Sequence, residues 1–250
     1  MAPHTGRNGL ARHLIRRLEH FTRLSAADRR VLDSVAGERV RTLAPREDLI
    51  HEGDRPQDVN LFLDGWACRY KGLEDGRRQI MAYLIPGDLC DFHVFILNEM
   101  DHSIGTLTKS KVVDIPRRRI LEMTERPAIA RALWWMTLVD EATLREWLVN
   151  LGQRSAEIRT AHLFCEMHLR LKSVGLADGG GFELPITQTE LADTMGMSSV
   201  HANRALQALR GKDLITFAQR KLVILDVDRL RKFSGFDPNY LHLRGGKRDQ

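Results

Sequence analysis

The sequence predicts an α+β fold in three parts: an N-terminal antiparallel β-roll of jelly-roll type, one long helix, and a C-terminal winged helix-turn-helix. Three observations point there. Between Val40 and Pro116, short runs of alternating apolar residues recur between regularly spaced turn signals. From Pro127 to Leu151 the chain runs 25 residues without a glycine or a second proline. From Thr187 to Ile215 two capped helical segments meet at a glycine, and two short strands follow. The expected boundaries are 1–126 for the β-roll, 127–154 for the long helix, 155–236 for the winged helix and 237–250 for a tail.

A chain of 250 residues with 43% hydrophobic content can fill real cores. Its net charge of +5 is compatible with a polyanionic partner and does not demand one. The excess is local: Arg204, Arg210, Lys212, Arg220 and Lys221 face a single acid, Asp213, between Thr194 and Lys221. Cys68, Cys90 and Cys165 are odd in number and widely spaced, which indicates neither a disulfide framework nor a structural zinc module. A reducing cytoplasm is the expected location. The longest apolar run, "IMAYLI", is far too short to span a membrane, and the N-terminus lacks the apolar centre of a secretory signal. There Leu10, Leu14, Leu18 and Phe21 recur at helical spacing and read as a first helix packed on the domain.

Within the β texture, Val59, Leu61 and Leu63 share one strand face, as do Trp66, Cys68 and Tyr70. The turn signals are "EGDRP", "EDGRR" and "IPGD". Asp75-Gly76 suits a type I′ hairpin turn, which needs positive φ at both central residues. The long helix opens on Pro127, whose fixed φ suits a first helical position. Leu133, Met136, Leu144, Leu148 and Leu151 mark its apolar stripe, and Trp134, Trp135 and Trp147 widen the arc expected to be buried. One reading is a central helix in a monomer. The sharper one packs it on the β-roll and on its own copy in a two-fold dimer. Then "SAEIRTAHLFCEMHLRLKS" is amphipathic, offering Ile158, Ala161, Leu163, Phe164, Met167 and Leu171 to a core, and "GLADGGGFELPI" is a loop.

The segment "TQTELADTMGMSSVHANRALQALRGKDLI" is the most informative. Thr187 and Glu190 have the T-x-x-E spacing of a capping box, and Leu191, Ala192 and Met195 give that helix an inner face. Gly196 supplies the left-handed residue that ends it. Ser198 can cap a second helix, in which Val200, Ala202, Leu206 and Leu209 are apolar and Ser199, Asn203, Arg204 and Gln207 lie on an outward face. This is helix-turn-helix spacing, with the second helix expected in the major groove, and "KDLITFAQRKLVILD" reads as a wing with a basic turn. Arg204 offers a fork matching guanine O6 and N7, Asn203 can pair with adenine, Ser199 can reach a base edge and Val200 can meet a thymine methyl. Thr187, Thr189, Ser198 and His201 are candidates for the rest of the DNA contact, with Thr187, Thr189 and His201 placed for phosphate oxygens. The competing reading is an αα-hairpin with a basic face serving protein interaction.

The order of β-roll, long helix and winged helix resembles the Crp/Fnr family of bacterial transcription regulators, carried by "IHEGDRPQDVNLFLDGWA", "GRRQIMAYLIPGDLCDFHVF" and the helix-turn-helix segment. The resemblance implies a cytoplasmic homodimer without enzymatic activity, binding a palindromic DNA site, with a cyclic-nucleotide-binding-like sensor domain and RNA polymerase as a further partner. It also locates "PGDLCDFHVFILNEMDHS" at the segment that cradles phosphate and ribose in the cyclic-AMP-binding members. There an acid holds the ribose and an Arg-Ser pair the phosphate; here those positions are Phe92 and His102-Ser103. Without the carboxylate and the permanent cation, the charge-assisted contacts of cyclic AMP are lost.

Asp91, Phe92, His93, His102 and Ser103 are therefore candidates for a remodelled pocket taking a small-molecule effector of unidentified class, and the cofactor is unknown. Ordinary structure is the plainer reading. Cys90, Asp91, His93 and His102 are also suitable types for zinc or iron, although alternation sends Cys90 to the opposite face from Asp91 and His93. The iron-sulfur members carry cysteines near the N-terminus, whereas the first here is Cys68; haem is compatible with the residue types but no axial pair is marked. The alternative function is a cupin-like metal enzyme with an accessory winged helix, against which Phe95 stands where the second histidine of that motif belongs.

Overall fold

The computed structural model of the protein describes residues 9–90, 92 and 99–243. The chain forms two compact units, one containing the residues up to Arg69 together with Tyr83–Leu138, the other Tyr70–Ala82 together with Val139–His242.

The first unit begins with α1 (Arg12–Glu19), on which Leu14 and Leu18 are buried, while Phe21 beyond its end stacks on Trp135 at 5.5 Å. A buried Arg17–Asp88 ion pair fixes α1 to the turn at Pro86–Asp88. Gly87 permits the approach, because a Cβ there would stand 2.8 Å from the His13 carbonyl carbon and its φ is +96°. In α2 (Ala26–Ala36), Ser25 and Asp28 cap each other reciprocally.

The β-roll is two four-stranded sheets. One runs β1 (Val40–Leu43), β8 (Ser110–Pro116), β3 (Asp58–Asp64), β6 (Leu89–Cys90); the other runs β2 (Asp48–Ile50), β7 (Ser103–Thr106), β4 (Ala67–Gly72), β5 (Arg78–Leu84). The pairs β1·β8, β8·β3, β3·β6 and β2·β7 are antiparallel. In β3 the simple alternation does not hold: Val59 and Leu61 are buried as expected, but Asn60 and Phe62 are buried too and Leu63 is only half-buried. Both faces of β3 are therefore buried over residues 59–62, and Asn60 satisfies its amide on Asp114 at 2.7 Å. The Asp75-Gly76 turn also differs from expectation. Only Gly76 has positive φ, so the turn is not type I′; it is a wider loop closed by Leu73 N–H to Arg77 O at 2.8 Å. Asp75 accepts from the Arg77 backbone and guanidinium instead of adopting a left-handed conformation.

After α3 (Arg117–Thr124), the long helix α4 spans Pro127–Gln153 and contributes residues to both units. Of its expected stripe, Leu133 and Met136 are buried in the monomer, Leu151 is half-buried, and Leu144 and Leu148 are exposed. Trp135 and Trp147 are buried within the chain, whereas Trp134 is 75% exposed. With Leu138 and Leu148 it forms an outward apolar seam that the 3.6-residue period separates from the Leu133–Met136 face.

In the second unit, α5 (Ala156–Val174) buries Ala161, Leu163, Phe164, Met167 and Leu171, each large apolar side chain contributing about 1.5–3 kcal/mol. The three-stranded sheet runs β10 (Ile215–Ala218), β11 (Lys221–Ile224), β9 (Gly181–Glu183). Gly180 before β9 is obligatory for contact: a Cβ would lie 2.2 Å from the Ile224 carbonyl oxygen. Helix α8 (Val227–Ser234) follows. The start of the expected tail is in fact packed, with Pro238–Leu241 forming a 3-10 turn that buries Leu241.

Candidate nucleic-acid interface and sensor segment

The helix-turn-helix forms as its local chemistry dictates. Helix α6 (Gln188–Met195) opens on a capping box in which the Glu190 N–H donates to Thr187 Oγ1 at 3.1 Å and the Thr187 N–H donates to Glu190 Oε2 at 2.6 Å. Gly196 ends it at φ +57°, and the Met197 N–H returns to the Ala192 carbonyl. Helix α7 (Ser199–Gly211) starts at Ser198, whose hydroxyl accepts the His201 N–H at 3.3 Å.

Leu191, Ala192, Met195, Ala202, Ala205, Leu206 and Leu209 are buried beneath these helices. Val200 is 61% exposed, and the buried face of α7 runs through Ala202, Ala205, Leu206 and Leu209. Thr187, Thr189, Ser198, Ser199, His201, Asn203 and Arg204 are all exposed. The candidate base-reading and phosphate-contacting side chains thus stand on the solvent side of α6 and α7.

The basic cluster divides into structural and surface members. The Arg210 guanidinium donates to the Phe217 carbonyl and ties α7 to the first wing strand. Lys212 pairs with Glu157 at 2.7 Å and lies over the Phe233 ring. Arg204, Arg220 and Lys221 are exposed. Sequence reasoning missed two contacts to α6: Arg78 Nε binds Asp193 at 2.8 Å while its guanidinium lies over Tyr70, and Gln79 Nε2 binds the Thr194 carbonyl at 3.0 Å. No local signal announces either, because each joins residues 115 positions apart.

In the sensor segment Asp91 and His93 lie outside the described residues. Phe92 is half-buried. His102 is buried with Nδ1 2.6 Å from Asp101 Oδ1, and the Ser103 hydroxyl accepts the Glu52 N–H at 3.0 Å. Cys90 is buried in β6, opposite Asn60 of β3. Among the described residues, no group of three or more His, Cys, Asp or Glu side chains could hold a metal ion.

Residues 40–126 match the cyclic nucleotide-binding domain family, and residues 158–233 match the Crp-like helix-turn-helix domain. The chain belongs to the Crp/Fnr family. Its Crp/Fnr relatives include the transcriptional activator protein FnrL of Cereibacter sphaeroides, 28% identical over 79% of this chain and 81% of that protein. The nitrogen fixation regulation protein FixK of Bradyrhizobium diazoefficiens is 27% identical over 83% of this chain and 86% of its own length. The structure of FixK2 from Bradyrhizobium japonicum superposes with a TM-score of 0.69 at 26% identity, covering 78% of this chain and 96% of that one. A CooA mutant from Carboxydothermus hydrogenoformans shares the fold at TM-score 0.66 and 18% identity, over 86% of this chain and 99% of that one. The Crp/Fnr relatives matched are transcription regulators, not enzymes of the cupin kind. No helix among the described residues is long and apolar enough to cross a membrane.

Proposed function

We propose that this Crp/Fnr chain is a cytoplasmic, homodimeric regulator that reads a palindromic DNA site through α7 and contacts RNA polymerase, with a β-roll that does not answer to cyclic AMP. The observation that carries it is the exposed row Ser199, Val200, Asn203 and Arg204 on a helix whose opposite face is wholly buried. A cation with a planar donor fork, an amide and a small apolar side chain on one helix face are the complement of major-groove base edges. The exposed seam of Trp134, Leu138, Leu144 and Leu148 supports a two-fold partner along α4, as an apolar stripe in water favours burial against its own copy.

Three features support a sensor that does not recognise cyclic AMP. Phe92 occupies the position of the ribose-binding acid; Ser103 uses its hydroxyl on Glu52; and His102, in place of the phosphate-binding arginine, is held by Asp101. A small-molecule effector at this segment would meet a different chemistry, with Asp91 and His93 as further candidates.

The test is selection of bound duplexes from a random DNA pool by the purified protein at moderate salt. The expected result is a palindrome with half-sites about one helical turn apart. Enrichment of nothing by a well-folded dimer, with or without added cyclic AMP, would sink the DNA-reading assignment. Enrichment only with cyclic AMP would sink the sensor assignment.

A further inference from the structure

We propose that Arg220, at the tip of the wing, enters the minor groove just outside the half-site and makes the protein select A·T-rich flanks. This deepens the DNA-binding reading above and rests on it. Strands β10 and β11 end on the pair Ala218↔Lys221, leaving a two-residue loop of Gln219 and Arg220 with φ of +50° and +63°. Such a loop is the place for Asn-Gly or Asp-Gly, because left-handed φ is adverse for residues with a Cβ and without a short polar side chain. Gly175, Gly196 and Gly235 supply left-handed φ at helix ends, and Arg46, Asp213 and His242 adopt it as single residues; among the described residues only the wing tip puts two such non-glycine residues side by side. There the chain places two long side chains, both exposed, in a conformation that disfavours them. The strain serves no core, so it points to function.

The mount is rigid and well placed. The Leu184 N–H donates to the Arg220 carbonyl at 2.8 Å, and Leu184 lies three residues before Thr187, the cap of α6. The Arg210 guanidinium on the Phe217 carbonyl fixes the same hairpin to α7. With α7 in the major groove, the first helix of the motif crosses the sugar-phosphate backbone. A hairpin whose Arg220 carbonyl is bound three residues before that helix is placed to send the Arg220 side chain past the phosphates bounding the major groove, where the neighbouring minor groove opens. Narrow A·T-rich minor grooves concentrate negative potential and attract arginine there without base-specific hydrogen bonds.

The experiment uses the full chain, the duplex it selects from a random pool, and two rebuilt versions of that duplex carrying A·T-rich or G·C-rich flanks. Wild type should bind the A·T-flanked duplex more tightly. Arg220→Gly should lose that preference while its Tm stays equal to or rises above wild type, since glycine relieves the left-handed φ; Arg220→Asn should behave alike. Arg204→Ala should weaken both duplexes and keep the flank preference. Equal wild-type affinity for both flanks overturns the proposal. So does an equal loss on both duplexes in Arg220→Gly with a salt slope smaller by about 1, which would make Arg220 a phosphate contact only. A fall in Tm for both Arg220 variants would show the residue is retained for folding. If wild type binds no duplex, or Arg204→Ala changes nothing, the DNA-reading assignment itself fails.

Discussion

The hydroxyl of Tyr240 donates to Glu166 Oε2 at 2.8 Å, beside the Trp147 indole N–H, which donates to the same oxygen at 2.9 Å. Glu166 is fully buried, and Arg170 Nη1 stands 3.4 Å from its other oxygen. Burial pushes the Glu166 carboxyl pKa up, against Arg170 and the two donors, which hold it down. The segment after α8 thus completes a polar centre that also joins α4 to α5.

Removing that hydroxyl takes one of two donors from a buried carboxylate oxygen and leaves Trp147 as the other. Tyr240→Phe is expected to lower unfolding free energy by about 1.5–3 kcal/mol in urea titrations, with an unchanged m-value. A loss near zero would mean that water takes the place of the hydroxyl.

His162 should make stability depend on pH. Its ring is fully buried, with Nδ1 3.0 Å from the Asn150 amide nitrogen and Nε2 3.2 Å from Glu146 Oε1. Burial, with help from Arg154, lowers its pKa from 6.5 to about 3. Arg154 is 2.6 Å from Glu146, so that carboxylate is already matched and does not hold a proton on the ring. Because the folded pKa lies below the unfolded one, this contribution is intact above about 6.5 and is lost as pH falls toward about 3, at roughly 1.4 kcal/mol per pH unit. Burial lowers His168 in the same direction. Urea titrations at pH 7 and 5.5 should show a loss in wild type that shrinks by about 1.4 kcal/mol in His162→Gln; equal losses would assign the slope to other groups.

Arg204→Ala should cost about 1–3 kcal/mol at the selected site and relax sequence preference at one base pair of each half-site. Competition against random duplex reads this directly. An equal loss on random DNA would move Arg204 from base reading to phosphate contact.

Two leucines of α4 should separate folding from association. Leu148, 72% exposed, is expected to tolerate glutamate in the monomer while the dimer dissociates at micromolar concentrations, read by sedimentation. Leu133, 2% exposed, should lose about 2–5 kcal/mol of stability on truncation to alanine. A Leu148→Glu protein that stays dimeric would place the interface elsewhere.

The C-terminal helices were legible because their signals are local. Thr187, Glu190, Gly196 and Ser198 each act on backbone groups within four residues, so spacing alone located α6, the turn and α7. The outward set of Ser199, Asn203 and Arg204 followed from helical period. The division of the basic cluster did not follow, because Arg210 and Lys212 find partners on other elements.

By itself the sequence determined the order of β-roll, long helix and winged helix, along with the caps and glycines that bound the helices. Period and capping depend on neighbours a few residues away, and these are written in the chain. Tertiary structure alone decided which face of α4 is buried, putting Leu133 and Met136 inward and Trp134 outward, because a helix apolar on several sides does not choose its partner. It alone turned residues 237–241 from an expected tail into a clasp on Glu166, since the acceptor lies 74 residues away from Tyr240. And it alone revealed left-handed φ at Gln219 and Arg220, imposed by the Ala218↔Lys221 register rather than by the preferences of the two residues that adopt it.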